Sequence, residues 1–293
     1  MDGVLVVDKP QGLTSHDVVA AARRALNETR IGHTGTLDPL ATGVLPLAIG
    51  RATRLVRFLA ASDKDYHATI RFGVTTDSYD LTGTETGRTD QVPSRTEILD
   101  GIQRLTGEYL QAPPAFSAKK VDGRRAYRLA RQEQAVTLAP VPVKVTRAEL
   151  LDLDGARAQV TLTCSAGFYV RSFAHTLGAL TGAGACLEAL QRTRSGEFEL
   201  HAALPFDTLH QAGRAMASLV PLTGLLSHFP AIAITDLGRG DVSHGRVLGP
   251  DAMLAAVPPG AEWIRLVDGA GALVALATPG TAPGSLHPSI VLI

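Results

Sequence analysis

The chain has 293 residues, 45% hydrophobic and 19% charged, which is the make-up of a folded protein and excludes a disordered one. Its 28 Lys+Arg balance its 28 Asp+Glu, so it is not basic throughout, and any nucleic-acid site must be a local patch. No apolar run reaches membrane-spanning length, and Met1-Asp2-Gly3-Val4 lacks the basic and apolar segments of a signal peptide.

At this length two domains are expected. Cys164 and Cys186 lie in apolar surroundings without CxxC spacing or a nearby histidine cluster, so they read as buried reduced thiols in a cytoplasmic protein. Val4–Val7 reads as a short buried strand ending in the turn Asp8-Lys9-Pro10-Gln11-Gly12. Thr14 or Ser15 then caps a helix whose apolar face is Val18, Val19, Ala22 and Leu26. Lys9, between that strand and that cap, is either a solvated turn residue or a support for a site.

Residues Arg30 to Gly43 are too broken by Gly and Pro for a helix or strand, and they lead straight into the apolar run Val44–Ile49. A loop held at one end by a buried strand is a rigid mount, and Asp38, fixed before Pro39, is its candidate reactive side chain. Taken alone, an aspartate before proline is more often a turn residue than a nucleophile.

Gly50–Leu59 follows as a short helix with arginines along one side. Lys64–Phe72 alternates as a strand with Tyr66, Ala68, Ile70 and Phe72 on one face. Tyr66 there is a core residue unless the strand's end frees its ring to stack on a ligand. Asp77 and Asp80, in a stretch rich in Thr and Gly, read as solvated turn aspartates because their spacing does not fill a calcium loop. Ser94-Arg95-Thr96-Glu97 is a capping box for a helix through Ile98, Ile102 and Leu105 that ends near Gly107.

Six Lys/Arg gather from Lys119 to Arg131 with only Asp122 opposing them, beside Phe116 and Tyr127. Charge interleaved with aromatic rings suits RNA, although charge alone also fits a solvated helix face. Val143–Leu153 and Arg157–Cys164 read as a hairpin around Asp154-Gly155. Arg171 stands between an apolar strand end and a helix start, where a buried guanidinium needs a carboxylate partner. From Pro221 onward Gly and Pro are frequent and short apolar runs recur, which indicates a small β domain over 221–293 after a first domain of 1–220. The chain shows no internal repeat, Walker loop, dinucleotide fingerprint or serine-hydrolase elbow.

Several of these stretches together resemble the TruB-type tRNA pseudouridine synthases. The resemblance rests on Asp8-Lys9-Pro10 with Gly12 and Thr14-Ser15, and above all on Gly32-His33-Thr34-Gly35-Thr36-Leu37-Asp38-Pro39-Leu40-Ala41-Thr42-Gly43. It continues through Lys64-Asp65-Tyr66, Thr76-Asp77-Ser78, Gln111-Ala112-Pro113-Pro114, Ser117-Ala118-Lys119 and Tyr169-Val170-Arg171-Ser172. Ser78 stands where the family commonly has threonine, and Gln191 where it commonly has arginine. The tail resembles the PUA-like domain that closes bacterial members.

The resemblance implies an α+β fold: a mixed, largely antiparallel sheet with flanking helices around a cleft, then the small β-rich PUA-like domain. It implies conversion of uridine 55 in the tRNA T-loop to pseudouridine, with no cofactor and no metal, by a monomer without an obligate protein partner. Asp38 would be the catalytic aspartate, acting on the sugar or on the base. Tyr66 would stack on the flipped base, Arg171 would pair with Asp38, and His33 would fill space beside the displaced base. Lys9, Lys119, Lys120 and Tyr169 complete the expected substrate-binding set. The rival readings are a guide-RNA-dependent relative, a non-catalytic RNA-folding module, and a glycosidic hydrolase. A hydrolase would need a second positioned carboxylate, and none stands out.

Overall fold

The computed structural model describes residues 1–117, 119–121, 124–125 and 138–293. In chain order come β1 (Gly3–Lys9), α1 (Ser15–Leu26), β2 (Ile31–His33), β3 (Thr42–Ile49), α2 (Val56–Ala60) and β4 (Lys64–Phe72). Next are β5 (Val74–Thr76), β6 (Glu85–Arg88), α3 (Arg95–Arg104), β7 (Gly107–Gln111), β8 (Lys120–Val121), β9 (Arg124–Arg125), β10 (Val141–Asp154) and β11 (Arg157–Cys164). The later elements are α4 (Val170–Leu180), β12 (Ala185–Ser195), β13 (Phe198–Glu199), β14 (Leu204–Pro205), α5 (Ala212–Ala217) and β15 (Leu219–Pro221). The tail adds β16 (Ala231–Ala233), α6 (Asp236–Ser243), β17 (Ile264–Val267), β18 (Leu273–Pro279) and β19 (Leu286–Val291).

The fold is α+β. Its spine is a mixed sheet in the order β14-β1-β3-β12-β4-β11-β10-β7, with β2, β13 and β15 paired at its margins. Most neighbours run antiparallel; β3 with β12 and β1 with β14 are the parallel pairs. Strand β4 lies at the centre, and its alternation is as the sequence suggests: Tyr66, Ala68, Ile70 and Phe72 are buried while His67 is exposed. One core joins that face to Val18 and Ala22 of α1, Ile98 and Ile102 of α3, and Phe173 and Leu177 of α4. Three helices therefore cover one side of the sheet.

Both predicted N-caps form. Thr14 Oγ1 accepts from Asp17 N at 3.1 Å, and Ser94 Oγ accepts from Glu97 N at 3.3 Å. Each acid answers by accepting from its cap residue's N–H, which satisfies two otherwise orphaned donors per helix. The β10–β11 hairpin turns at Gly155-Ala156, one residue later than expected because Asp154 still pairs with Arg157, and Gly155 takes a φ of 53° that costs glycine little.

Strands β16 to β19 form a separate four-stranded sheet with its own core around Ile232, Val242, Ile264 and Leu286. A further cluster joins the two sheets. Val4 and Val6 of β1 and Val44 and Ala48 of β3 pack with Leu225, Leu226, Leu276, Ile290 and Leu292. The arginines after β3 reinforce this junction: Arg51 and Arg54 donate to the carbonyls of Leu292 and Val291, and the Arg57 guanidinium lies 5.0 Å from the Trp263 ring centroid. No helix among the described residues is long and apolar enough to cross a membrane.

Candidate active site

The loop between β2 and β3 carries Asp38, and three contacts fix its backbone. Ser15 Oγ accepts from Leu37 N at 2.8 Å and donates to Leu37 O at 3.1 Å. Gly12 N donates to Pro39 O at 2.7 Å. At the far end Gly43 has a φ of 96°, and a Cβ there would stand 2.2 Å from the Arg192 carbonyl oxygen, so only glycine lets β3 meet β12. The carboxylate of Asp38 is 39% exposed and opens into a cleft of about 940 Å³. His33, Tyr66, Tyr169 and Arg171 line the same cleft, so the structure brings five of the expected site residues together.

Arg171, in the first turn of α4, is 5% exposed. Its Nη1 donates to Ser78 O at 2.9 Å and its Nη2 to Phe116 O at 2.8 Å. Two fixed carbonyls thus aim the guanidinium edge at the loop. Nε lies 2.9 Å from Asp38 Oδ2, in an ion pair that lacks the alignment of a hydrogen bond. The motif containing Gln111 explains how α4 begins here. Gln111 Oε1 accepts from Tyr169 N at 2.8 Å, its Nε2 donates to Tyr169 O at 3.1 Å, and Ser172 Oγ donates to Ala112 O.

Asp80 corrects one expectation. Instead of being solvated it is buried, 3.7 Å from Arg171 Nε, and accepts from Ser78 Oγ, Thr82 N and Thr82 Oγ1. The hydroxyls two residues before and after it carried the signal, since that spacing lets both reach one carboxylate. Asp77 is exposed, as expected.

Lys9 corrects another. It is completely buried, does not line the cleft, and donates to Pro10 O at 2.8 Å and Leu13 O at 2.7 Å. Burial pushes its ammonium down to about 8. It braces the turn behind the Asp38 loop instead of facing a ligand.

The remaining residues differ in how they are held. Tyr66 is buried and its phenol is raised above its ordinary range by that burial, as is the phenol of Tyr169. The half-buried His33 imidazole is held below its usual value by burial and then by the Arg192 charge, and its Nδ1 finds no partner among the described residues. Lys119 is partly buried. The Lys120 side chain, like the rest of the basic run through Tyr127, Arg128 and Arg131, lies outside the described residues. No group of three or more metal-ligating side chains occurs among the described residues.

Sequence reasoning missed two cleft residues, Lys64 and Arg192. Arg192 is the largest fully buried side chain among the described residues. It stands two residues after Leu190 on β12, so period-2 alternation alone puts both on the inward face.

Residues 23–170 match the TruB family pseudouridylate synthase (N terminal domain). The chain is 43% identical to the tRNA pseudouridine synthase B of Solibacter usitatus over the full length of both. It is 42% identical to that of Mycobacterium sp. (strain KMS), covering 91% of this chain and 92% of the relative. Among solved structures, a chain of a Cbf5-Nop10-Gar1 complex superposes with a TM-score of 0.75 at 26% identity, covering 99% of this chain and 85% of that one. A chain of an H/ACA RNP bound to a substrate RNA containing 2'-deoxyuridine gives 0.73 at 25% identity, with the same coverage.

Proposed function

This chain belongs to the TruB family of pseudouridylate synthases, and on that premise we propose that it isomerises uridine 55 in the T-loop of tRNA. It works as a cytoplasmic monomer, with no obligate protein partner and no cofactor. The proposal rests chiefly on one observation: a half-exposed carboxylate opens into the cleft while a buried arginine, anchored by two carbonyls, stands 2.9 Å from it.

The target base is stacked inside a folded loop and must be extruded, which costs a few kcal/mol. Stacking on an aromatic ring restores about 1–3 kcal/mol, and Tyr66 supplies that ring at the cleft wall. The reaction breaks the N1–C1′ bond, turns the uracil, joins C5 to C1′, and moves the C5 proton into solvent while N1 gains one. Asp38 acts by attacking C1′, by attacking the ring, or by taking a sugar proton, and each route needs the charged carboxylate. Arg171 lies against that carboxylate and fixes its rotamer. His33 fills the space beside the extruded base, and Tyr169, Lys119 and Lys120 contact the RNA.

Asp38→Asn tests the reading. The variant is expected to fold and bind transcribed tRNA yet to form no pseudouridine, and a normal yield overturns the assignment. Activity of the purified chain alone also separates this reading from a guide-RNA-dependent enzyme.

A further inference from the structure

One part of the cleft is cationic without a matching acid. Arg192 is 1% exposed and Lys64 7% exposed, and both line the cleft. Neither has a carboxylate within ion-pair distance among the described residues; their acceptors are backbone carbonyls. Arg192 Nε donates to Val44 O at 2.7 Å and Nη2 to Gly35 O at 3.1 Å, while Lys64 Nζ donates to Ala60 O at 2.9 Å and to Ser62 O.

The two cations flank one point. A Cβ on Gly35 would stand 3.4 Å from Arg192 Nη1 and 3.7 Å from Lys64 Cε. Beside it the Thr34 hydroxyl, on a residue 1% exposed and also lining the cleft, has no hydrogen-bond partner. Burial, and then the neighbouring Arg192 charge, push the Lys64 ammonium down to about 8. Two buried like charges and an orphaned hydroxyl are costly in a free protein. An anion entering from the cleft satisfies all three groups together.

We propose that Thr34, Lys64 and Arg192 form a phosphodiester subsite that grips one backbone linkage next to the nucleotide being extruded. The proposal rests on the reading above that the substrate is RNA, whose anionic groups are its phosphates. A uracil carbonyl brings no charge to offset two cations. Arg192, held flat by two carbonyls through Nε and Nη2, has the Tyr66 hydroxyl beside its guanidinium and presents Nη1 towards Gly35 and a phosphate oxygen. Gly35 leaves room for that oxygen where any side chain would stand.

The test is a linkage scan. Each phosphodiester within three nucleotides of the target in a T-arm stem-loop is replaced by a neutral methylphosphonate, with 2′-O-methyl at that residue and a matched 2′-O-methyl phosphodiester as control. Binding is measured with the native chain and with Lys64→Met. One linkage is expected to weaken native binding about tenfold and to lose less than about twofold in Lys64→Met, the other linkages behaving alike in both proteins. The same coupling in Arg192→Met, which removes the other cation, is the second arm if Lys64→Met does not fold. Equal losses in native and variant proteins at every linkage overturn the subsite. Pseudouridine formation in the unmodified stem-loop is scored in parallel: its absence is a failure of the proposed function, and its presence without coupling is a failure of the subsite alone.

Discussion

Arg171 and Arg192 are built alike and surrounded differently. Both are buried, both reach the cleft, and each is anchored by two backbone carbonyls. Arg171 meets two carboxylates, Asp38 at 2.9 Å and Asp80 at 3.7 Å, whereas Arg192 meets none among the described residues and has Lys64 for a neighbour. Similar anchoring, through Nη1 and Nη2 in Arg171 and through Nε and Nη2 in Arg192, therefore serves opposite ends. Carbonyl pairs fix where a guanidinium points, and the charges around it decide whether it completes an internal pair or waits for an external anion.

Breaking the Arg171 corner is expected to have the larger effect. Arg171→Met leaves Asp80 buried without its cation and should lower stability by about 3–5 kcal/mol, with isomerisation lost. Denaturant unfolding and single-turnover product formation measure the two losses. Arg192→Met removes two hydrogen bonds but also an unpaired buried charge, so it should destabilise by only about 1–2 kcal/mol. Equal losses of stability in the two variants contradict the contrast.

The smallest effect is a pH dependence. The Lys64 ammonium titrates near 8 in the folded chain and near the ordinary lysine value of 10.5 when unfolded. Between those values the unfolded state holds more protons, so stability rises with pH. Below about 8 both states are charged and the cost of burial is felt in full. The gain should be about 1 kcal/mol for each such lysine from about pH 8 to 9. Lys9 shifts the same way, whereas the buried Cys164 and Cys186 thiols, raised to about 12 and about 11, oppose the rise, so Lys64→Met should remove more than half of the net rise seen by urea unfolding across that window.

Much of the frame was legible because it is local. The period-2 pattern of β4, the capping boxes at Thr14 and Ser94, and the hairpin turn to within one residue of Asp154-Gly155 each depend on residues close in sequence. The Asp38 loop was legible as a mount for the same reason. Asp80 was misread because its burial arises from a distant partner: it bridges to Leu187 and faces Arg171. Lys9 reads locally as a turn lysine, and only the tertiary fold shows that it is sealed beneath the turn. Arg192 is anchored 148 residues away at Val44, a separation that no local pattern spans.

The junction cluster has a consequence for how the protein is made. The inner faces of β1 and β3, Leu5, Val7, Leu45 and Leu47, can collapse onto α1 early, since all of these residues leave the ribosome within the first part of synthesis. The opposite faces, Val4, Val6, Val44 and Ala48, share their cluster with the nearby Ala52, Leu55 and Leu59, but its cover is complete only when Ile290 and Leu292 emerge. Until then the nascent chain shows part of that apolar strip to the cell. An interrupted translation product would keep that strip exposed, making it a ready target for chaperones and proteases.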